Sequence, residues 1–205
     1  MSLRTLGVEE AVDALRSGTP VILPTDTVYG LCANPYGEES VRRAYALKGR
    51  EPVQPSALLA SDVDMLLECL PELRSRLGPA LRELLPGPFT LVVPNPARRF
   101  SWLAGTNPDA IGVRVPQLPA GADAVVARVG AVMATSANLP GGPDPASVDQ
   151  VPRELLDGCA TVIDVGELPG VPSTVIDLTA DPRVLREGAV PADEALARVA
   201  GLVGQ

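Results

Sequence analysis

The sequence predicts a mixed α/β fold, a twisted sheet of parallel and antiparallel strands with helices on its faces. Three observations predict it. Short apolar runs recur along the whole chain, separated by stretches whose apolar residues fall at helical spacing. The alternation keeps no strict βαβ rhythm, and some runs are joined by turns too short for a crossover, which requires antiparallel neighbours. Hydrophobic residues make up 46% and charged residues 20% of 205 positions, which suits a packed core, and no run of about 20 apolar residues is present to span a membrane.

Residues 8–17 place Val8, Ala11, Val12 and Leu15 on one helical face, and Gly18 follows as a stop. PVILP (20–24) is a short apolar run between prolines, read as a buried strand. The next segment, PTDTVYGL (24–31), is read as a polar turn in which Pro24 ends the strand and Gly30 permits the reversal. Residues 38–48 form a helix with Val41, Ala44, Tyr45 and Lys48 on one side and Gly49 as its breaker. SALLA (56–60) is a strand, Asp62 caps a helix through Leu70, and 72–85 reads as another helix. FTLVV (89–93) and IGVRV (111–115) are strands, 121–128 is helical, and AVMAT (131–135) is a small buried strand. LPGGPDPA (139–146) is a loop. TVIDV (161–165), STVIDLT (173–179) and RVLRE supply three more strands, and an amphipathic helix covers 191–200. We find no linker, repeat or low-complexity segment, so the expectation is a single domain over 1–205.

Composition excludes several classes of chemistry. There is no histidine, so neither a His-ligated metal nor a His-based catalytic triad can exist. The cysteines Cys32, Cys69 and Cys159 are odd in number and widely spaced, fitting neither a disulfide framework nor a zinc pattern. The first residues, MSLRTLGVEEAV, carry acidic groups and no apolar core, so a signal peptide is not expected and the cytoplasm is the default. A net charge of −8 disfavours a surface built broadly for nucleic acid.

Of the 17 cationic side chains, Lys48 is the one lysine and 16 are arginines. A compact ammonium kept among planar guanidiniums, with Arg50 two residues on, points to a multiply charged anion such as phosphate. The plain alternative is a solvated helix end. PTDTVYGL places Thr25, Asp26, Thr27 and Tyr29 at the end of a buried strand, where ligands of α/β sheets bind. The alternative is a turn that only caps the next segment of chain. Arg114 stands in the middle of the apolar strand GVRVP, and a buried guanidinium needs a partner. That partner is a protein carboxylate such as Asp26, or a ligand carboxylate or phosphate held bidentately. TSANLPG (135–141) offers Ser136 and Asn138, Ser173 opens another strand, and Arg186 sits next to the flexible turn at Gly188.

PTDTVYGL, KGR, GPFT, GVRVP, TSAN, STVID and LREGA occur in this order and spacing. The set resembles the YrdC/Sua5/TsaC family of threonylcarbamoyl-AMP synthases over about residues 8–190, and the length resembles the short form without the extra C-terminal domain. The resemblance implies a YrdC-like fold, a twisted open mixed sheet around a concave cleft. It implies a nucleotidyltransferase that makes threonylcarbamoyl-AMP and pyrophosphate from L-threonine, bicarbonate or CO2, and ATP. Downstream proteins would pass the threonylcarbamoyl group to adenosine at position 37 of tRNA. By motif match, Thr27, Arg114 and Ser173 would hold threonine. Lys48, Arg50, Gln54, Ser136, Asn138 and Arg186 would hold ATP, with Lys48 and Arg50 also catalytic. Mg2+ would be bound mainly through ATP, with no protein metal site and no membrane partner. Two departures bear on threonine contact: the segment after KGR reads EPVQPSALL, and Leu59 stands where many members carry a histidine. The same resemblance carries two rival activities, a carbamoyl-phosphate-dependent adenylating domain related to hydrogenase maturation, and a double-stranded RNA or ribosome-maturation binder.

Overall fold

The computed structural model describes residues 3–49, 51 and 53–200. Its eight strands form a single sheet, and the chain enters it from one edge. Helix α1 (Leu3–Arg16) ends at Gly18, whose φ of 80° suits only a residue without a side chain. Strand β1 (Val21–Pro24) then turns through residues 25–28 into β2 (Tyr29–Ala33), its antiparallel neighbour. YGLCA is thus a strand where the sequence reads as part of a turn. Gly30 lies inside it without a positive φ, and an added Cβ there would sit 3.4 Å from the Thr135 carbonyl oxygen. The glycine serves close approach of a neighbouring strand and not reversal.

Helix α2 (Glu38–Lys48) matches its expected bounds, and Gly49 closes it in the left-handed region at φ 64°. Strand β3 (Ala57–Ala60) leads to Asp62, whose carboxylate accepts from the Met65 amide and caps α3 (Val63–Cys69). The expected 72–85 helix is broken. A single 3-10 turn covers Pro71–Leu73, and α4 starts afresh at Gly78 and runs to Leu84. Pro79 in its first turn has no amide to bond the preceding turn, so the helix can begin there but not pass through.

Strands β4 (Phe89–Pro94) and β5 (Ala110–Arg114), helix α5 (Ala120–Val129) and strand β6 (Ala131–Ser136) follow. A short helix, α6 (Arg153–Gly158), lies in a stretch where the sequence predicts nothing. TVIDV at 161–165 is not a strand. Ile163 donates to the Ile22 carbonyl and Ile22 to that of Thr161, a lone parallel bridge. The Tyr29 hydroxyl then accepts from the Val165 amide (3.1 Å) and donates to the Gly166 carbonyl (2.7 Å), drawing the chain off the edge. Strands β7 (Thr174–Asp177) and β8 (Arg183–Arg186) and helix α7 (Ala192–Ala200) complete the fold.

The strand order is β1-β2-β6-β3-β5-β4-β7-β8, parallel at β3/β5 and β4/β7 and antiparallel elsewhere. One face carries Leu31, Leu58, Leu91, Val113 and Met133 and is packed into the larger core with residues of α2, α3, α4 and α7. The other face is covered only in part. Helices α1 and α5 pack together over Val21, Leu23, Cys32, Leu59 and Val132. Strand β4 records the consequence: Phe89, Leu91 and Val93 are buried, while Thr90, Val92 and Pro94 alternate with them and are half-buried. That half of the sheet is left as the floor of a cavity. Among the described residues no helix is long and apolar enough to cross a membrane.

Candidate active site

The cavity measures about 400 Å3, in the range of sites for small ligands. Its floor is a row of small residues. Val92, Gly112, Ala57 and Ala134 are consecutive register partners across β4, β5, β3 and β6, and all four line the cavity. A Cβ on Gly112 would make only ordinary contacts, the nearest at 3.7 Å to the Ser56 carbonyl oxygen and the Thr90 methyl, so a small side chain fits there on the cavity floor.

Arg114 ends β5 at one end of this floor, and its side chain is nine-tenths hidden from solvent. Its Nη2 donates to Asp26 Oδ1 at 2.8 Å and to Thr27 Oγ1 at 3.2 Å. The protein carboxylate anticipated as one of the two possible partners is therefore in place. It does not saturate the fork. Arg114 Nε is buried and has no partner, which a ligand oxygen would supply. Burial lowers the Arg114 guanidinium from its ordinary value, with Asp26 acting against that. Burial likewise pushes the Asp26 carboxyl above the usual carboxylate range, against the pull of Arg114.

Thr25 organises the turn beneath this pair. Its Oγ1 donates to the Val28 carbonyl at 2.8 Å and accepts from the amides of Thr27 and Val28. With that proton committed, Thr27 Oγ1 is the donor in the 2.9 Å contact between the two hydroxyls. Thr25 and Thr27 are both buried and both line the cavity.

Ser173 stands across the floor, at the start of β7. Its hydroxyl lies 2.8 Å from that of Thr90, next to Arg114 on the cavity face. Arg186 from β8 donates to the Ser173 carbonyl at 2.9 Å and leaves the rest of its guanidinium exposed at the cavity wall.

Lys48 behaves differently from the expectation of a cation presented at a helix end. It is buried, with 3% of its surface exposed, and does not line the cavity. Its Nζ donates to the Ser136 carbonyl at 2.5 Å and to Asn138 Oδ1 at 2.6 Å. Ser136 Oγ donates to the same Asn138 oxygen at 2.7 Å, and Asn138 Nδ2 donates to the Gly142 carbonyl at 2.6 Å. The ammonium thus pins the turn that carries Ser136 onto the cavity wall. Arg50 lies outside the described residues. Gln54 is exposed beside Pro55, which lines the cavity while Gln54 does not. Leu59 is buried in the smaller core under α1 and α5, in register beside Arg114.

Sequence reasoning missed Thr90, Gly112, Asn107 and Asp144, all of which line the cavity. Gly112 carried a signal, since a glycine inside a strand often marks close approach. Thr90 lay inside the GPFT motif. Asn107 and Asp144 sit in loops that no periodicity places.

Comparison with known proteins decides the family. Sua5/YciO/YrdC, described as Telomere recombination, matches residues 13–188. The chain belongs to the Sua5/YciO/YrdC family. Among its curated relatives is a putative threonylcarbamoyl-AMP synthase of Mycobacterium tuberculosis, 33% identical over 204 residues, which cover 97% of this chain and 91% of that one. The crystal structure of Sua5 from P. abyssi complexed with L-threonine matches with a TM-score of 0.79 and 32% identity, over 94% of this chain and 57% of that chain. YciO of E. coli matches with a TM-score of 0.70 and 26% identity, over 92% of each. The open mixed sheet with flanking helices is the fold of these Sua5/YciO/YrdC proteins.

Proposed function

We propose that this chain is an L-threonylcarbamoyladenylate synthase, joining L-threonine, bicarbonate or CO2, and ATP into threonylcarbamoyl-AMP with release of pyrophosphate. The observation that carries the reading is Arg114, a buried guanidinium at the end of an open cavity with its Nε unpartnered. It sits in a fold shared with a protein solved in complex with L-threonine. The product would serve modification of tRNA through downstream transfer proteins, and the cell compartment would be the cytoplasm.

The chemistry asks for positioning and charge stabilisation more than for a nucleophile. Threonine's carboxylate would dock on Arg114, where a planar fork matches a planar anion. Its side-chain hydroxyl would lie among Thr27, Thr90 and Ser173, whose own hydroxyls are paired and so fixed in direction. The unprotonated amine attacks the carbon of CO2, forming the N–C bond and losing one proton, and gives a carbamate. A carbamate oxygen then attacks the α-phosphorus of ATP, and the bond to pyrophosphate breaks. Ser136 would turn its hydroxyl proton from Asn138 to the phosphates, Lys48 would hold the Ser136 turn in place, and Arg186 would offset nucleotide charge from the opposite wall. Arg50 and Gln54 remain proposed ATP ligands on sequence grounds. Mg2+ carried by ATP needs no protein cage. Among the described residues no group of three His, Cys, Asp or Glu forms one, and Asp144 is a wall carboxylate able to meet the ion.

The test is pyrophosphate release by the purified chain with each substrate omitted in turn. Release that requires threonine, bicarbonate and ATP together is expected. Release that ignores threonine and bicarbonate would return the carbamoyl-phosphate reading to first place.

A further inference from the structure

We propose that Asp26 is the resident counter-ion of Arg114, and that a carboxylate ligand arriving on Arg114 is bound together with one proton, which Asp26 takes up from solvent. The inference rests on the reading of Arg114 as the receptor for the amino acid's carboxylate. It concerns Asp26, which does not line the cavity and which neither motif nor ligand assigned a role.

The geometry is that of one cation between two anion sites. Asp26 lies in the turn between β1 and β2 and reaches Arg114 through a single nitrogen, Nη2, which it shares with Thr27. Its second oxygen has only a long contact, 3.4 Å, from the Gln117 amide. Both side chains of the pair are about nine-tenths hidden, at 10% and 12% exposure. A second carboxylate on the unpartnered Nε would place two negative groups against one guanidinium in a poorly screened site. Two carboxylates that share a site cannot both stay ionised cheaply, and one of them takes a proton.

The surroundings leave Asp26 as the group that moves. The incoming carboxyl is the stronger acid of the two, since α-carboxyls ionise lower than Asp side chains. Burial already holds the Asp26 carboxyl above its usual range, against the pull of Arg114. Strand β5 presents Arg114, and beyond it Gln117 offers only an amide. Strand β2 presents Cys32, whose thiol burial pushes up to about 12, so it stays protonated. Strand β8 presents Arg186, close enough to depress Arg114 but exposed to solvent and turned to Ser173. Asp144 lines the cavity from the loop after β6 and makes no contact with this pair. The chain has no histidine, so no imidazole competes for a proton in the range of about pH 5 to 7. The ammonium of threonine keeps its proton there as well.

Linkage fixes the sign. If binding takes up a proton, lowering the pH must tighten binding, by at most about tenfold per pH unit for one proton. The experiment is calorimetric titration of the full chain with L-threonine at pH 5, 6, 7 and 8. Each point is run in two buffers that differ in ionisation heat. Between the buffers we expect a difference that reports proton uptake at the acid end and fades by pH 8. In Asp26→Asn the uptake is expected to vanish, with threonine affinity independent of pH. Asp26→Ser, smaller and equally uncharged, serves if the first variant does not fold. Equal heats in both buffers at every pH for a wild type that binds threonine would overturn the proposal alone, leaving Arg186 to balance the second charge. Uptake retained in either variant would overturn it too. A wild type that binds ATP but gives no threonine heat at any pH would overturn the functional reading, and this inference with it.

Discussion

The Nζ of Lys48 and the backbone carbonyl of Ser136 are joined by a 2.5 Å hydrogen bond, linking the end of helix α2 to the turn after β6. The same ammonium reaches Asn138 Oδ1 at 2.6 Å. A residue with the sequence signature of a free phosphate ligand is also a structural pin, so its loss should register in two ways.

Replacing Lys48 with Ala should cost about 2 kcal/mol of stability, because two part-buried acceptors lose a buried, charged donor. It should also weaken ATP binding by about tenfold or more, because Ser136 is no longer held. Lys48→Arg should not rescue either loss, since a planar fork does not fit a slot built around a compact ammonium. Thermal melts and calorimetric ATP titration of the two variants check this. Undiminished ATP affinity in Lys48→Ala would rule out the assigned role.

Arg114 should also show a double effect. Arg114→Ala leaves Asp26 buried without its partner, a change that typically costs about 3–5 kcal/mol. Arg114→Lys keeps the charge and should recover part of that stability. It loses the fork, so threonine affinity should fall by about tenfold or more in the lysine variant. Folded Arg114→Lys with wild-type threonine affinity would leave the ion pair as a purely structural feature.

Gly112 separates cavity from core. A Cβ there meets nothing nearer than 3.7 Å, and valine suits a strand interior, so Gly112→Val should fold with a melting temperature within a few degrees of wild type. Its methyls would stand on the cavity floor, and ligand binding should be lost. A variant that melts normally and binds ATP and threonine normally would show that the cavity is not the site.

The thiols should be inert in the native state. Burial pushes Cys32 and Cys159 up to about 12. At pH 8 only about one in ten thousand of each is then thiolate, the reactive form. Iodoacetamide at pH 8 should leave both unmodified for hours by mass spectrometry. Labelling should rise with pH toward that value or on unfolding. Rapid labelling of Cys32 at pH 8 would contradict its burial.

The sequence is most legible where one physical signal dominates. Helical spacing and Gly49 place α2 at its observed bounds, and Asp62 caps α3 as expected. It is least legible where long-range contacts decide. YGLCA is a strand because β1 and β6 pair with it on both sides, not because of its own pattern. TVIDV has the composition of a strand, yet the Tyr29 hydroxyl draws its end away. The 72–85 segment keeps helical spacing across Pro79, and the spacing hides the restart that the proline imposes. In the site, Thr27, Arg114, Ser173 and Arg186 do converge on one cavity. The inward turn of Lys48 and the place of Asp144 depend on a loop path that composition does not specify.

The central claim is that carbon from bicarbonate becomes part of an adenylate of threonine. The most direct measurement incubates the chain with labelled bicarbonate, ATP and L-threonine and follows the label by chromatography and mass spectrometry. Label is expected in a nucleotide product only when all three substrates are present, in step with pyrophosphate release. Pyrophosphate released without label entering any nucleotide would contradict the claim.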